Sequence, residues 1–260
     1  MTEQAALADP NEPRATASMV DALRRAHAEV RARIDAACAR ADRPVDAVTL
    51  VAVSKTVDPD RLRAAVEVGL TTLGENRVQE GERKRPEVPG ATWHLIGPLQ
   101  SNKAKRALGA FDLLETVTSV DLGARLDRLV PEVRPGARFP VLVQVNVDRD
   151  PAKAGVLPDD AAAVVDGLAA LPNLEVHGLM TIGRFGAAED EARRTFRALR
   201  DLSTALRGRM AGLGPELSMG MSDDYEIAVE EGATIVRVGR ALFGERSHRH
   251  GDGPADHRHR

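Results

Sequence analysis

The chain is short of cysteine, of aromatic residues and of long apolar runs. One cysteine, Cys38, in 260 residues excludes an internal disulfide framework and any multi-cysteine metal site. Aromatic residues make up 3%, too few to offer a series of rings on which single-stranded bases would stack. No apolar stretch approaches the roughly 20 residues of a membrane span. The start, MTEQAALADPNEPRA, has neither the basic beginning nor the apolar middle of a secretory signal. A formal net charge of -3 gives no general attraction to nucleic acid or to an anionic membrane. A cytoplasmic protein with no nucleic-acid or membrane partner is expected. With 43% hydrophobic residues the chain has material for one large core or two small ones.

Residues 1–17 carry Pro10 and Pro13 among polar residues and read as a disordered lead-in. From Ser18 to Arg40, Met19, Leu23, His27, Val30, Ile34 and Cys38 recur at steps of three and four, the mark of one helix face. His27 and Cys38 on that face read as core residues. Strand-length apolar segments then begin at Thr49, Thr71, Thr92, Phe111, Phe139, Leu174, Glu216 and Thr234, with helix-like segments between them. Such alternation implies parallel strands with right-handed crossovers. Eight strands predict a closed (β/α)8 TIM barrel, a fold of roughly 200 to 250 residues, with an extra helix at its N-terminus. An open doubly wound sheet is the alternative, but no Gly-x-Gly-x-x-Gly follows the first strand. Residues 18–246 form the expected barrel. Residues 247–260, SHRHGDGPADHRHR, hold four of the seven histidines and read as a disordered tail with adventitious metal affinity.

A barrel of this kind builds its ligand face from the carboxyl ends of the strands. There the first strand, Leu50-Val51-Ala52-Val53, delivers Ser54-Lys55-Thr56. A partly buried amine at such a place has its charged form disfavoured and can attack an aldehyde to form a Schiff base. By itself Lys55 also fits an ion-paired lysine at a strand end. Ser222, in Ser218–Asp224, stands beside a helix start, where backbone N–H groups favour an anion. Gly239 lets phosphate approach the main chain, and Arg237 within an apolar strand needs acceptors for five donors. These acceptors are expected to be a ring nitrogen or a carboxylate. Lysine, phosphate cradle and buried arginine together match an aldehyde, a phosphate and a heteroaromatic nitrogen, the three groups of pyridoxal 5′-phosphate (PLP). His94 reads as a satisfied core residue, Glu75 as a cap of the next helix, Lys153 as a solvated loop lysine and Tyr225 as a surface helix residue.

The stretches LVAVSKT (50–56), GENRVQ (74–79), WHLIGPLQSNKAK (93–105), HGLMT (177–181), LSMGMSDD (217–224) and VRVGRALFGER (236–246), in this order, resemble the pyridoxal-phosphate homeostasis protein family, the YggS/PROSC type. The resemblance implies a fold-type III PLP barrel like the N-terminal domain of alanine racemase. It makes Lys55 the residue that carries PLP as an aldimine. Ser222, Gly239 and Arg240 match the phosphate-holding positions, Arg237 the partner of the ring nitrogen, and Asn76 and Met219 residues near the ring. It further implies a part in vitamin B6 balance without an established reaction, with PLP-dependent apoenzymes as recipients, and a monomer is expected. A PLP-dependent amino-acid racemase or lyase is the alternative. A third reading is a sugar-phosphate enzyme with Lys55 as a Schiff-base aldolase lysine.

Overall fold

The computed structural model describes residues 16–244. The expected lead-in up to residue 15, the His-rich tail and the end of the last family motif lie outside the described residues. Helix α1 (Ala17–Arg40) precedes β1 (Thr49–Val53), α2 (Pro59–Glu67), β2 (Thr72–Glu75), α3 (Val78–Lys84), β3 (Thr92–Leu95) and α4 (Ala104–Ala110). Then follow β4 (Leu113–Val117), α5 (Val120–Val133), β5 (Phe139–Gln144), α6 (Ala161–Ala169), β6 (Leu174–Met180) and α7 (Glu189–Arg207). The last units are β7 (Leu213–Ser218), α8 (Tyr225–Glu230), β8 (Ile235–Val238) and α9 (Arg240–Phe243). All neighbouring strands are parallel, and β8 closes on β1 with Ala52 level with Val238, so the sheet is a closed barrel.

Local chemistry accounts for the elements. Leu23, Val30, Ile34 and Cys38 form the buried stripe of α1, and Thr16 caps it by accepting from the Met19 N–H at 3.3 Å. Asp58 caps α2 by accepting from the Arg61 N–H at 2.9 Å, with Pro59 in the first turn. Ser119 does the same for α5, accepting from the Leu122 N–H at 3.2 Å. That helix contains Pro131. Proline has no N–H for the carbonyl four residues back. That carbonyl, on Asp127, accepts from Asn173 Nδ2 at 3.2 Å instead, so the helix continues.

Strand β7 starts three residues before its expected beginning, taking in Gly214 and Pro215. The chain needs a glycine here. A Cβ on Gly214 would lie 2.4 Å from the His177 carbonyl oxygen of β6.

The register sorts side chains between the two faces of the sheet. Val51 is level with Arg237, Gly74 with His94, His94 with Leu113, and Ser218 with both Met180 and Ile235. These face the barrel interior, where Val51, Leu113, Leu142, Met180 and Ile235 form one small apolar cluster. The alternate residues join the larger core between sheet and helices. Among the described residues no helix is long and apolar enough to cross a membrane.

Candidate functional site

Lys55 stands in a turn directly after β1 and is half-buried. The turn closes with the Val57 N–H on the Ser54 carbonyl at 3.0 Å. Thr56 takes a left-handed conformation, φ 66°, an unfavourable one for a β-branched residue. It is held by Glu80, whose Oε2 accepts the Thr56 N–H at 3.2 Å.

Behind the turn, between β2 and α3, lies Lys84, whose side chain is completely buried. Its Nζ donates to the Ser54 carbonyl at 2.8 Å, to Glu75 Oε1 at 2.7 Å and to Glu80 Oε2 at 3.4 Å. The Ser54 hydroxyl also donates to Glu75 Oε1, at 2.8 Å. Burial pushes the Glu75 carboxyl above its ordinary range against the pull of Lys84. For Glu80 burial also pushes upward, but the Thr56 N–H and Lys84 win and hold it below. Glu75 is therefore not a helix cap. It ends β2 with its side chain on the outer face of the sheet, where α3 covers it.

On the neighbouring strand β8 the chain leaves at Gly239. Its N–H donates to Ser222 Oγ at 3.3 Å, so two of the three residues expected to hold phosphate stand together at the mouth. A Cβ at Gly239 would lie 3.3 Å from Val53 Cβ, so a larger residue would crowd β1. Arg240 opens α9. Its side chain is exposed, paired with Asp223, and its guanidinium carbon is 5.9 Å from the Phe185 ring centroid.

Arg237 is buried inside the barrel. It donates from Nη2 to the Thr181 carbonyl at 2.8 Å and from Nη1 to Ser218 Oγ, and Nη1 lies 3.7 Å from Glu115 Oε2. Ser218 donates to the same Glu115 oxygen at 2.5 Å, and His94 Nδ1 is 2.7 Å from Glu115 Oε1. The carboxylate expected near Arg237 is thus Glu115. Burial pushes its carboxyl up, but His94 and Arg237 hold it below the ordinary range. His94 is a satisfied interior residue, as its place within a strand suggests.

Asn76 follows β2, half-buried, and its main chain packs so closely on Gly97 that a Cβ there would be 2.2 Å from the Asn76 oxygen. Met219 is wholly buried in the core between sheet and helices, and its N–H donates to the Ile235 carbonyl at 3.1 Å. Lys153 turns back toward the mouth, its Nζ 3.2 Å from both Asp148 Oδ2 and the Ile182 carbonyl. Tyr225 is not a surface residue. It is 1% exposed, because α1 packs across α8 and sets Arg33 over its ring at 5.4 Å. Among the described residues no cluster of His, Cys, Asp or Glu is placed to hold a metal ion.

Lys84 and Glu115 escaped the sequence reading. A lysine in the last turn of a helix looks like a partner for the helix dipole. Glu115 offered one signal, a lone acid at an inward position of the apolar strand LLETV.

A parallel eight-stranded barrel with a lysine, a hydrogen-bonded serine–glycine pair and a buried arginine toward one mouth defines a class, and residues 27–247 match the model of the alanine racemase N-terminal domain. Within that class the resemblance is narrower. A pyridoxal phosphate homeostasis protein of Aquifex aeolicus is 39% identical over 218 residues, covering 83% of this chain and 95% of the relative. Another, of Pseudomonas aeruginosa, is 40% identical over 225 residues, covering 85% and 94%. The structure of PipY from Synechococcus elongatus PCC7942 with PLP bound superposes with a TM-score of 0.75 at 38% identity, covering 85% of this chain and all of PipY. The chain belongs to the pyridoxal phosphate homeostasis protein family.

Proposed function

We propose that this chain binds pyridoxal 5′-phosphate covalently through Lys55 at the mouth of the barrel and acts in balancing the cell's pool of that cofactor. The observation that carries the reading is the adjacency of β1 and β8, whose backbones lie about 5 Å apart by strand spacing: Lys55 follows the end of one strand, and Gly239, bonded to Ser222, follows the end of the other. One small molecule spans that interval. PLP bound there supplies an aldehyde and an electron-withdrawing ring.

Each residue then has a task. The Lys55 amine, on a turn fixed by Glu80 and Lys84, takes the aldehyde. The Ser222 hydroxyl and the N–H groups of Gly239 and Arg240 hold the phosphate. Arg237 presents N–H donors to the ring nitrogen, which keeps that nitrogen unprotonated and the ring a weaker electron sink. Asn76 lies beside the ring, and Met219 supports the strand end beneath it. The unit that does this is residues 18–246, and we place it in the cytoplasm as a monomer that passes PLP to apoenzymes.

Holding without turnover fits the placement of Tyr225. Racemisation needs an acid or base on each face of the reacting carbon. The one tyrosine of this chain is packed beneath α1 rather than opposite Lys55.

Borohydride reduction of PLP-treated protein followed by peptide mapping tests the assignment. A label on Lys55, absent from Lys55→Ala, is the expected result. A protein that takes no label sinks the reading, and the sugar-phosphate aldolase alternative requires that outcome. Solvent deuterium appearing at Cα of D- or L-amino acids at enzyme-like rates would instead establish a racemase or lyase.

A further inference from the structure

Glu115 is a fully enclosed carboxylate with a partner on each of three other strands or strand ends: His94 on β3, Ser218 on β7 and Arg237 on β8. Such a group is costly to bury unless its charge and lone pairs are answered. Here they are answered by one hydroxyl, one imidazole and one guanidinium. The same geometry bears on Arg237. A guanidinium is a planar fork that must be fixed in rotation before its donors point anywhere useful. The Thr181 carbonyl fixes one end at 2.8 Å, and Ser218 fixes the other. Ser218 in turn is fixed by its own bond to Glu115, at 2.5 Å. A pyridine nitrogen carries no formal charge, so it cannot replace Glu115 as counter-ion.

We propose that Glu115 is a positioning residue for Arg237: through Ser218 it sets the plane of the guanidinium, and its charge balances the positive field that the cofactor ring meets. This rests on the PLP reading above. Without the carboxylate, Arg237 keeps its charge, and an unbalanced cation beside the bound ring disfavours every protonated form of the chromophore.

The experiment compares wild type, Glu115→Gln, Arg237→Ala and the double variant, each loaded with PLP. Two quantities are measured: the dissociation constant by equilibrium dialysis, and the pH midpoint of the bound chromophore's absorbance. Glu115→Gln should weaken binding by about tenfold and move the midpoint to lower pH. In the Arg237→Ala background the same change should add no more than about twofold and leave the midpoint where that background sets it. A wild-type midpoint in Glu115→Gln overturns the proposal. Equal effects in both backgrounds overturn it as well, since a merely structural role acts without Arg237. If Glu115→Gln does not fold, Ser218→Ala breaks the positioning relay and leaves the carboxylate's charge in place; unweakened PLP binding there is equally fatal. Failure of the wild type to load overturns the PLP reading beneath. Normal loading with an unaltered Glu115→Gln overturns this inference alone.

Discussion

Lys84 Nζ lies 2.8 Å from the carbonyl of Ser54, so a completely buried lysine on α3 anchors the chain one residue before Lys55. The tie crosses from helix to strand end and is reinforced by the Glu75 carboxylate at 2.7 Å. Removing one member of a buried pair leaves the other charge unanswered. Lys84→Met should therefore destabilise the protein by roughly 3 kcal/mol, read in urea unfolding. It should also slow the attachment of PLP to Lys55, read as the rate of chromophore formation. Wild-type attachment in a folded Lys84→Met protein would show that the anchor serves the fold alone.

The cradle at the other end is tight against β1. Gly239→Ala places a methyl 3.3 Å from Val53 Cβ at a residue proposed to hold the phosphate. PLP affinity should fall by about tenfold with little change in melting temperature. Ser222→Ala, which removes a hydroxyl without adding bulk, should weaken binding by less.

The two buried glutamates should respond to acid in opposite senses. Glu115 has its folded pKa held below the unfolded value, so its stabilisation is full above that value and is lost as pH falls through the folded pKa. Glu75 has its folded pKa raised, so its contribution is full below the unfolded value and is lost as pH rises through the folded pKa. In denaturant titrations across pH, the penalty of Glu115→Gln should shrink toward acid. That of Glu75→Gln should shrink as pH rises above the ordinary glutamate value near 4.5. Parallel trends would contradict the assigned environments.

Asn173 replaces the hydrogen bond that Pro131 withholds from Asp127. It also donates its own N–H to Asp127 Oδ1 at 2.8 Å. Asn173→Ala should cost about 1 kcal/mol, and Pro131→Ala in the same chain should recover part of it by restoring an N–H to the helix.

Much of this architecture was legible in sequence because it depends on local pattern. Val51 and its neighbours between turn residues mark β1, and Asp58-Pro59 marks the start of α2. The strand-end rule then placed Lys55, Ser222 and Gly239 on one rim before any contact was known. What escaped was made by closure. His94, Glu115, Ser218 and Arg237 are spread over most of the chain and meet only because the sheet curls until their inward faces converge. Tyr225 looked like a surface residue because α1, which covers it, is nearly the whole chain away.

The seam where β8 joins β1 also sets side by side the two strands that lead to residues 55 and 239. Neither part of the proposed site is a binding place alone, since Lys55 and the residues proposed to hold phosphate come together only when the barrel closes. Capture of the cofactor is thereby coupled to closure of the sheet. A chain truncated before Ile235 should remain colourless in the presence of PLP, whereas the untruncated chain acquires the chromophore, making it an optical reporter of barrel closure.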